Sequence, residues 1–458
     1  MIDLNKINKA HFIGIGGIGI SAAAGILHCK NFLVSGSDAQ ESEIIGDLRA
    51  RGIKVDVPHD AINIHDDIDL IVYSVAVPAD NPERIRAKEL LIPELTYPEL
   101  LGLMLKDKYG IGVSGTDGKT TTTAMLAKIM IDAGLDPNVV LGSQADFLEG
   151  NWRCSDNEYF VFESDEYRRA FDNYNPKIAI VTNIGLDHLD YYYDAEHYLG
   201  AFKKYLAKLP ADGIAIINND DERSKIAVAD CPEKIVTFGL KDSADYCVNN
   251  IRIVDGRQEF SVMENGSVSA TISLQLPGMY NISNALAAIA AVRQLGVGWE
   301  EIAKAIDGFK GVWRRFERLG HSGRAEVIAD YAHTPPAIKQ VIEGLKEFFS
   351  GKKVLFVFQP HQYARTKNLF SEFVTAFDGA EKVLLADIFY VAGRERPEDF
   401  NVSSASLAVE IAKRRVDVEA SGDLTATEAR IRELADQFDV IMILGAGNIY
   451  EVARNLVK

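Results

Sequence analysis

A stretch rich in glycine and threonine is the part of this sequence best suited to chemistry. It runs from Gly115 to Thr121, follows the apolar run 109–113, and leads into an amphipathic segment. A strand, a glycine loop and a helix in this order bind phosphate, because the backbone N–H groups and the dipole at the helix start favour an anion. We expect this loop to cradle the phosphates of a nucleotide.

The residue types in the loop indicate how it would do so. Glycines let the backbone approach the phosphates, Lys119 can reach the terminal phosphates, and the Thr120 hydroxyl can ligate Mg²⁺. Only two residues separate Gly115 from Gly118, whereas the general nucleotide loop has four, so this is a shortened variant. A helix start that merely contains Gly and Lys is the plainer alternative, but four consecutive threonines after the lysine disfavour it. The predicted nucleotide contacts of the loop are Gly115, Thr116, Asp117, Gly118, Lys119, Thr120 and Thr121.

Acidic residues and a histidine follow two later strands of the expected sheet. The apolar run 159–162 ends in Glu163, and the run 177–184 is followed by a segment with His188 between Asp187 and Asp190. In a parallel sheet the ligands gather at the carboxyl ends of the strands, so both clusters should face the phosphate loop. Mg²⁺ prefers oxygen ligands. A lone loop histidine is more often hydrogen-bonded than a ligand, yet this one lies between two aspartates. The predicted metal ligands are Thr120, Glu163 and His188.

A second glycine turn lies near the N-terminus. After the strand 11–13, the glycines of a GxGGxG pattern lead into a helix, and a second strand ends at Asp38, 24 residues after Gly14. This outlines a dinucleotide site with an acid placed for a ribose hydroxyl. The turn could bind NAD, another diphosphate, or nothing. The residues at these strand ends are Gly14, Gly16, Gly17, Gly19, Ser37, Asp38 and Ser74.

Polar clusters also follow the strands of the last third of the chain. Strands are predicted at 326–330, 353–358, 382–387 and 439–444, with clusters at 331–335, 359–365 and 445–448. This repeated pattern indicates a functional edge that faces a cleft, although single histidines such as His361 could be ordinary polar residues. Asn281 and Asn284 share a face near a helix start, where they either cap the helix or recognise a purine edge.

The composition predicts an α/β protein of three domains. With 458 residues, 47% hydrophobic and 25% charged, the chain suits about three domains of ordinary size. We predict a Rossmann-like domain at 1–108, a central P-loop ATPase-type α/β domain at 109–313 and a Rossmann-like α/β domain at 314–458. Short alternating runs between 234 and 276 predict a small antiparallel β annex within the central domain, with a structural role.

Charge and cysteine usage restrict the partners. The formal charge of −17 disfavours a nucleic-acid surface, and we find neither a signal peptide nor a membrane span, so we expect a cytoplasmic protein. The four cysteines lie far apart without a CxxC pair, which predicts reduced thiols. They are Cys29, Cys154, Cys231 and Cys247.

Taken in order, these motifs resemble those of the Mur ligases, which join an amino acid or peptide to a nucleotide-linked muramyl group. The resemblance covers nearly the whole chain. It is carried by the shortened GTxGKTTT loop, Glu163 ahead of Asp165 and Glu166, Thr182-Asn183, the Asp187–Asp190 segment, Pro277-Gly278 with Asn281 and Asn284, Arg315-Phe316-Glu317, and Asp330-Tyr331-Ala332-His333. The alanine-adding member matches best, through Gly14–Ser21, Phe358–His361, Arg365-Thr366 and Gly445-Ala446-Gly447.

The resemblance implies a reaction and a role for each cluster. The lactyl carboxylate of UDP-N-acetylmuramate would attack the γ-phosphate of ATP, and the amine of L-alanine would displace phosphate from the acyl phosphate. The first domain would hold the UDP-sugar in place of NAD. The resemblance adds Asn281, Asn284, Arg315 and Asp330 to the ATP contacts, assigns His333, His361 and Arg365 to the amino acid, and gives Lys119, Glu163, His188, Arg315 and His333 as catalytic residues. The expected cofactor is Mg²⁺, and the expected assembly is a monomer or homodimer.

Several positions depart from the alanine-adding pattern. Asp117 stands where that member usually has His, Thr334 replaces a second His, and Gln362 replaces an Arg. The run 164–169 also differs from its usual acid-rich turn. These changes bear on the amino acid, leaving alanine, glycine and serine open. A gapless count puts Phe202 where related ligases have a carbamylated lysine, with Lys203 one place away, and the alanine-adding member also lacks that lysine.

Three other functions remain possible from the sequence. A recycling ligase would attach a whole tripeptide to the same nucleotide sugar. An NAD-dependent oxidoreductase would use the first domain and leave the phosphate loop unexplained. A nucleotide-binding module would release phosphate without any ligation.

Overall fold

The computed structural model describes residues 2–185, 188, 191–231, 233–241, 243–391, 395 and 397–458. Asp187 and Asp190, which belong to a motif of the sequence analysis, lie outside the described residues. The chain divides into two compact units. The first comprises Met1–Asn250, Phe260–Ile272 and Ser283–Phe309; the second comprises Ile251–Glu259, Ser273–Ile282 and Lys310–Lys458. Each unit is described by itself.

A parallel sheet of five strands forms the N-terminal part of the first unit, in the order β3-β2-β1-β4-β5. Its elements are β1 (Lys9–Ile13), α1 (Ile18–Cys29), β2 (Leu33–Ser37), α2 (Glu43–Ala50), β3 (Lys54–Asp56), β4 (Leu70–Tyr73), α3 (Pro82–Glu89), β5 (Glu94–Thr96) and α4 (Tyr97–Met104). The register pairs Ile13 with Ser37 and with Tyr73, so the predicted glycine turn and the ends of β2 and β4 meet at one edge. Helix α4 begins at a capping box formed by Thr96 and Glu99.

The central sheet has the strand order β15-β14-β13-β12-β11-β10-β6-β9-β7-β8. Its elements are β6 (Tyr109–Ser114), α5 (Lys119–Asp132), β7 (Asn138–Ala145), β8 (Gly150–Arg153), β9 (Tyr159–Glu163), β10 (Ile178–Val181), α6 (Ala195–Leu206), β11 (Ile214–Asn218), α7 (Glu222–Val228), β12 (Lys234–Phe238), β13 (Tyr246–Val254), β14 (Arg257–Glu264), β15 (Ser267–Leu274), α8 (Met279–Gln294) and α9 (Trp299–Asp307). β6 pairs parallel with β9 and β10, which brings their carboxyl ends together as the sequence predicts.

The annex prediction is wrong in one detail. Strand β12 was expected among the antiparallel runs, but it pairs in parallel with β11, from Ile214 opposite Lys234 to Asn218 opposite Phe238. Strands β13, β14 and β15 continue the same sheet, so they are an extension of the central sheet. A short apolar run carries no information about strand direction, because pairing direction depends on the connection and on the neighbouring strand.

The second unit contains a sheet of six strands in the order β16-β17-β21-β18-β19-β20. Its elements are β16 (Glu317–Ser322), β17 (Ala325–Asp330), α10 (Pro335–Phe348), β18 (Val354–Phe358), α11 (Tyr363–Asn368), α12 (Phe370–Ala376), β19 (Lys382–Ala386), α13 (Ser404–Ala412), β20 (Asp417–Gly422), α14 (Leu424–Leu434), β21 (Val440–Leu444) and α15 (Ile449–Leu456). The register places Asp330 and Phe358 opposite Leu444, so three of the predicted polar clusters share one edge.

Helix α1 packs closely against strand β8. Its Ala22 and Ile26 belong to the same buried cluster as Phe160 and Phe162 of the central sheet. A Cβ on Gly25 would overlap the indole of Trp152, so this helix approaches the sheet as closely as glycine allows. The first unit therefore buries the glycine-turn region and the central sheet against one another.

The prediction of reduced cysteines is wrong for one pair. Cys29 at the end of α1 and Cys154 just after β8 form a disulfide, although they are 125 residues apart in sequence. Within the described residues, Cys231 and Cys247 are not part of a disulfide. Sequence spacing did not indicate this pair because the packing of α1 on β8 is what brings the two thiols together. No helix in the described part of the chain is long and apolar enough to cross a membrane.

Candidate functional site

The phosphate loop has the backbone that its sequence predicts. Strand β6 ends at Ser114, and α5 begins at Lys119 directly after Gly118, whose φ of 82° is in the left-handed region. A Cβ on Gly118 would clash with Asn284 Oδ1, and Gly115 has a φ of 134°. Both glycines are therefore required by conformation, and Asn284 of α8 lies against the loop as predicted for an ATP contact.

Lys119 lies at the centre of the charged groups beside the loop. Its Nζ is 3.0 Å from Glu166 Oε1 and donates to the carbonyl oxygens of Gly115 at 2.5 Å and Thr116 at 3.3 Å. Burial opposes the charge of the ammonium, but the carboxylates of Glu166, Asp165 and Glu163 more than offset it, so the pKa of Lys119 lies above its usual value. The lysine is therefore cationic at neutral pH.

Thr120 and Glu163, two of the three predicted metal ligands, are in contact. The Thr120 hydroxyl donates to Glu163 Oε2 at 3.0 Å, and the backbone N–H of Gly142 donates to Glu163 Oε1 at 2.6 Å. These oxygen donors at the end of β9 and the start of α5 suit a hard divalent cation such as Mg²⁺.

His188 belongs to a neighbouring group of possible metal ligands. Its Nε2 is 3.5 Å from Glu166 Oε1, and ligand atoms of Asp165, Glu166 and His188 all lie within 4.8 Å of one another. The ring of Tyr167 lies 4.6 Å from the imidazole, between centroids. The structure thus groups the predicted ligand His188 with Asp165 and Glu166, and the donor set fits a divalent cation with more than one carboxylate available.

Two residues of this region were not predicted as site residues. Glu166 is fully buried, and its Oε2 has no hydrogen-bond partner among the described residues. Tyr198 of α6 shares a hydrogen bond with Thr116 Oγ1 at 3.0 Å and donates to Glu166 Oε1 at 3.3 Å. Glu166 could have been predicted, because it is the third of three acids, after Glu163 and Asp165, that follow the apolar run 159–162. Nothing in the local sequence distinguished Tyr198 from a core tyrosine.

The N-terminal glycine turn is held by the residues predicted to line it. The N–H groups of Gly14 and Ile15 donate to the Ser37 carbonyl at 2.8 and 3.0 Å, and Asp38 Oδ2 accepts from Gly16 N at 2.8 Å. A Cβ on Gly14 would lie 3.1 Å from Ser74 Cβ. Gly17 caps α1, and Gly19 lies against Tyr97. The predicted UDP-sugar residues are thus brought together at one sheet edge.

A buried polar cluster behind this turn was missed by the sequence analysis. Ser37 Oγ contacts His59 Nδ1 at 2.8 Å and donates to the buried carboxylate of Glu83, which also accepts from Asn63 Nδ2 at 2.7 Å. Burial opposes ionisation of Glu83, but hydrogen bonds from His11, Ser37 and Asn63 hold its pKa below the usual value. Ser37 therefore points into the domain, where it fixes the end of β2.

Asp330 and Arg315 form the equivalent edge of the second unit. The two Asp330 carboxylate oxygens accept from the N–H groups of Phe316 and Ala332, both at 2.8 Å. Burial raises the pKa of Asp330, and the Arg315 guanidinium opposes that rise. Arg315 lies over the Tyr331 ring at 4.7 Å. Asn281, in the same unit, donates from Nδ2 to the Pro277 carbonyl at 2.8 Å; this bond is not a helix cap, because a cap accepts from a backbone N–H.

The three predicted amino-acid contacts lie together in the second unit. Arg365 NH1 is 3.3 Å from His361 Nδ1, and the rings of His333 and His361 are 6.1 Å apart. His333 Nδ1 contacts the Tyr331 carbonyl at 3.0 Å. Burial, followed by the charge of Arg365, lowers the pKa of His333 to about 3. This imidazole is neutral at physiological pH, so it can form hydrogen bonds but cannot supply a cation.

Arg314, which was not predicted as a site residue, is hydrogen-bonded to the glycine loop after β21. Its guanidinium donates to the carbonyl oxygens of Gly445 and Gly447, each at 2.8 Å. Gln359 holds the same loop, because its side chain donates to Asn448 Oδ1 at 3.0 Å and accepts from Ile449 N at 3.0 Å. The adjacent arginines therefore have different surroundings, which their sequence did not reveal.

Family models match three successive segments of the chain. Residues 9–109 match a model described as Mur ligase family, catalytic domain. Residues 113–292 match the Mur ligase middle domain, and residues 314–447 match a Mur ligase, glutamate ligase domain. The three segments follow one another with only short gaps between them.

Curated relatives and solved structures agree with these models. A UDP-N-acetylmuramate–L-alanine ligase from Caldanaerobacter subterraneus subsp. tengcongensis is 38% identical over 100% of this chain and 99% of the relative. One from Lachnospira eligens is 40% identical with the same coverage. The crystal structure of a UDP-N-acetylmuramate–alanine ligase from Thermotoga maritima has a TM-score of 0.84 at 31% identity and covers 98% of both chains. A murein peptide ligase from Psychrobacter arcticus has a TM-score of 0.71 at 23% identity over 98% of both chains, a similarity of fold.

Proposed function

The chain belongs to the Mur ligase family, and we propose that it joins L-alanine to the lactyl carboxylate of UDP-N-acetylmuramate with cleavage of ATP. The enzyme is an ATP-dependent carboxylate–amine ligase, and its product is a precursor of peptidoglycan. The identity of 38–40% to alanine-adding ligases over the whole chain supports the choice of substrate.

Two displacements make up the reaction. A carboxylate oxygen of the muramyl group attacks the γ-phosphorus of ATP and ADP leaves, which gives an acyl phosphate. The alanine amine then attacks the acyl carbon, phosphate leaves, and the amine loses a proton as the amide forms. Such phosphoryl transfer asks for positioning and charge neutralisation more than for covalent chemistry by side chains.

The phosphate loop of the first unit supplies the positive charge for the first step. Lys119 neutralises the terminal phosphates, and the N–H groups at the start of α5 bind the phosphate oxygens. Asn284 contacts the nucleotide beside Gly118, against which it packs. Arg315, Asp330 and Asn281 are the other residues that we propose as ATP contacts.

Residues at the ends of β9 and β10 would hold Mg²⁺. Thr120 and Glu163 form one pair of oxygen donors, and His188 lies beside the carboxylates of Asp165 and Glu166. Mg²⁺ bound there would neutralise charge on the β- and γ-phosphates.

The two remaining substrates occupy the other sheet edges. The glycine turn with Gly14, Gly16, Gly17 and Gly19 cradles the UDP diphosphate. Asp38 is placed for a ribose hydroxyl and Ser74 is a further UDP-sugar contact, whereas the buried Ser37 holds the end of β2 from inside the domain. Arg365 is the cation for the alanine carboxylate, because His333 is neutral, and His361 orients Arg365 through their contact at 3.3 Å. The domain limits 1–108, 109–313 and 314–458, a cytoplasmic location and a monomeric or homodimeric state complete the proposal.

One observation carries this proposal most directly. The phosphate loop, the Thr120–Glu163 pair and the Asp165–Glu166–His188 group lie at the carboxyl ends of adjacent strands β6, β9 and β10. An NAD-dependent oxidoreductase would have no use for this combination. The tripeptide-adding ligase remains the second candidate, because Asp117, Thr334 and Gln362 depart from the alanine-adding pattern.

The decisive experiment measures ADP and phosphate release with UDP-N-acetylmuramate and a panel of acceptors. Alanine, glycine, serine and the tripeptide are compared at equal concentration, and the product is identified by mass spectrometry. We expect turnover to be fastest with L-alanine and to require the UDP-sugar. Faster turnover with the tripeptide would establish the recycling ligase, and phosphate release independent of any amine would establish a module without ligase activity.

A further inference from the structure

Glu166 is a fully buried carboxylate beside the phosphate loop, and three polar groups converge on one of its oxygens. Lys119 Nζ lies 3.0 Å from Oε1, His188 Nε2 lies 3.5 Å away, and the Tyr198 hydroxyl donates to it at 3.3 Å. A carboxylate with 0% exposure is costly unless it is paired, so these contacts hold both the acid and its partners in place.

The phosphate loop is connected to this carboxylate at two points. Lys119, at the start of α5, reaches it directly, and Thr116 reaches it through Tyr198, whose hydroxyl is 3.0 Å from Thr116 Oγ1. Thr116 Oγ1 also accepts from the N–H of Gly185 at 2.9 Å. Lys119 and Thr116 of the phosphate loop are therefore both connected to one buried carboxylate, that of Glu166 in the segment after β9.

The second carboxylate oxygen distinguishes Glu166 from an ordinary structural acid. Glu166 Oε2 is buried and has no hydrogen-bond partner within the described residues. Buried acceptors in native proteins are almost always satisfied, and exceptions concentrate where a function requires them.

We propose that Glu166 is a positioning residue of the reaction, which holds the Lys119 ammonium beside the γ-phosphoryl group that ATP transfers to the carboxylate. The flexible four-carbon stem of a lysine leaves its ammonium poorly oriented unless a partner holds it. Lys119 is only 17% exposed, and Glu166 both compensates its charge and directs it toward the loop. This inference rests on the proposed function, in which Lys119 neutralises the terminal phosphates.

The test compares Glu166→Gln with the matched variant Glu264→Gln in the full-length enzyme. Glu264 also accepts from a tyrosine hydroxyl, that of Tyr246 at 2.7 Å, and pairs with a cation, Arg293, at 3.1 Å, and both of these partners lie outside the phosphate loop. Steady-state rates, ATP affinity by calorimetry, and thermal unfolding are measured for each variant.

We expect Glu166→Gln to lower kcat by about tenfold or more, since small displacements of a charged group have large effects on rate. The affinity for ATP is measured without Mg²⁺, because Glu166 also belongs to the group that could hold this ion. It should stay the same or increase, since one negative charge beside a polyanion is removed. A structural role alone would lower thermal stability without this opposite movement of kcat and affinity. Glu264→Gln should leave both kinetic quantities unchanged.

Tyr198→Phe supplies a second measurement if Glu166→Gln fails to fold. It keeps the carboxylate and removes the hydroxyl that links it to Thr116, so kcat should fall while the affinity for UDP-N-acetylmuramate is retained. Unchanged kcat in Tyr198→Phe, or in a folded Glu166→Gln, overturns the inference. Lys119→Ala distinguishes failure of the proposed function from failure of the role of Glu166. If Lys119→Ala abolishes turnover while Glu166→Gln and Tyr198→Phe do not, the proposed function stands and only the positioning role of Glu166 is wrong.

Discussion

At the scale of single residues, two acids near the end of β9, Glu163 and Glu166, have different hydrogen-bond partners. Glu163 is hydrogen-bonded by Thr120 and by the N–H of Gly142, whereas Glu166 is paired with Lys119. The first arrangement leaves an oxygen-rich pair at the start of α5, as a metal ion requires, and the second compensates a buried ammonium. Residues of the same type, three positions apart, therefore have different tasks.

Glu163→Ala should raise the Mg²⁺ concentration needed for half-maximal activity by about tenfold or more, because it removes a ligand and not only a supporting group. Titration of activity with MgCl₂ at saturating ATP measures this. Glu158→Ala, an exposed acid just before the same strand, is the control and should leave the requirement unchanged. An identical titration curve for the two variants would contradict Glu163 as a ligand.

His333 should make the protein sensitive to acid. Its pKa is about 3 in the folded protein and about 6.5 in an unfolded chain, so between these values only the unfolded state binds the proton. Stability then falls as the pH is lowered from 6.5 toward 3, by about 1.4 kcal/mol per pH unit. Calorimetric unfolding of the wild type and His333→Gln between pH 7 and 5 compares the two slopes. Parallel pH profiles would show that His333 is not buried in its neutral form.

At the scale of elements, the parallel strands explain how distant motifs become one site. Strands β6, β9 and β10 are neighbours, so residues that follow them meet although Ser114, Glu163 and Val181 are far apart in sequence. Helix α1, which follows the other glycine turn, packs on β8 through small residues and so fixes that turn against the central sheet. The site thus depends on close helix–sheet packing as much as on the loops.

Gly25→Ala should destabilise the protein by about 1–3 kcal/mol, because its Cβ would overlap the Trp152 indole and overpack a tight contact. Gly46→Ala is the matched control. Gly46 lies within helix α2, and a Cβ at this position would meet nothing within 4 Å. The control should stabilise by about 0.5–1 kcal/mol. Thermal unfolding of both variants measures the difference, and changes of the same sign would refute the packing argument.

At the scale of the whole molecule, the first compact unit contains both glycine turns. Residues of the N-terminal region and of the central sheet share one buried cluster, and the Cys29–Cys154 disulfide joins them covalently. Lys30 adds a hydrogen bond to the Ser155 carbonyl at 2.7 Å beside that bond. The N-terminal glycine turn and the loop 115–121 are therefore held in one unit.

Reduction of the disulfide should lower the stability of the first unit. A bond that closes a 125-residue separation contributes up to about 4–5 kcal/mol by its effect on the unfolded chain. Unfolding of the wild type with and without dithiothreitol is compared with Cys29→Ser and with Cys231→Ser, whose thiol is free. We expect reductant to affect the wild type and Cys231→Ser only. No shift in the wild type would mean that the bond does not form in solution, and an equal shift in Cys29→Ser would mean that the reductant acts elsewhere.

Much of this site could be predicted from the sequence because its chemistry is local. Gly115, Gly118 and Lys119 lie within one short loop, and the left-handed φ at Gly118 agrees with the reason for expecting glycine there. Glu163 at the end of β9 was found by the rule that places ligands at strand ends, whereas Arg315 and Asp330 were supplied by the resemblance to the family. The direction of β12 was predicted wrongly, because an isolated strand does not encode its partner.

The sequence by itself determined the α/β class, the two glycine turns and the family, since these depend on residue types at short spacing. Only the tertiary structure decided which distant residues are in contact. Lys119 contacts Glu166, and Thr116 contacts Tyr198. Arg314 donates to the Gly445 carbonyl, and Cys29 is bonded to Cys154. Each of these contacts joins segments of the chain that come together only when helices pack on sheets. Burial and charge compensation arise from that packing, so no local pattern of residues can reveal them.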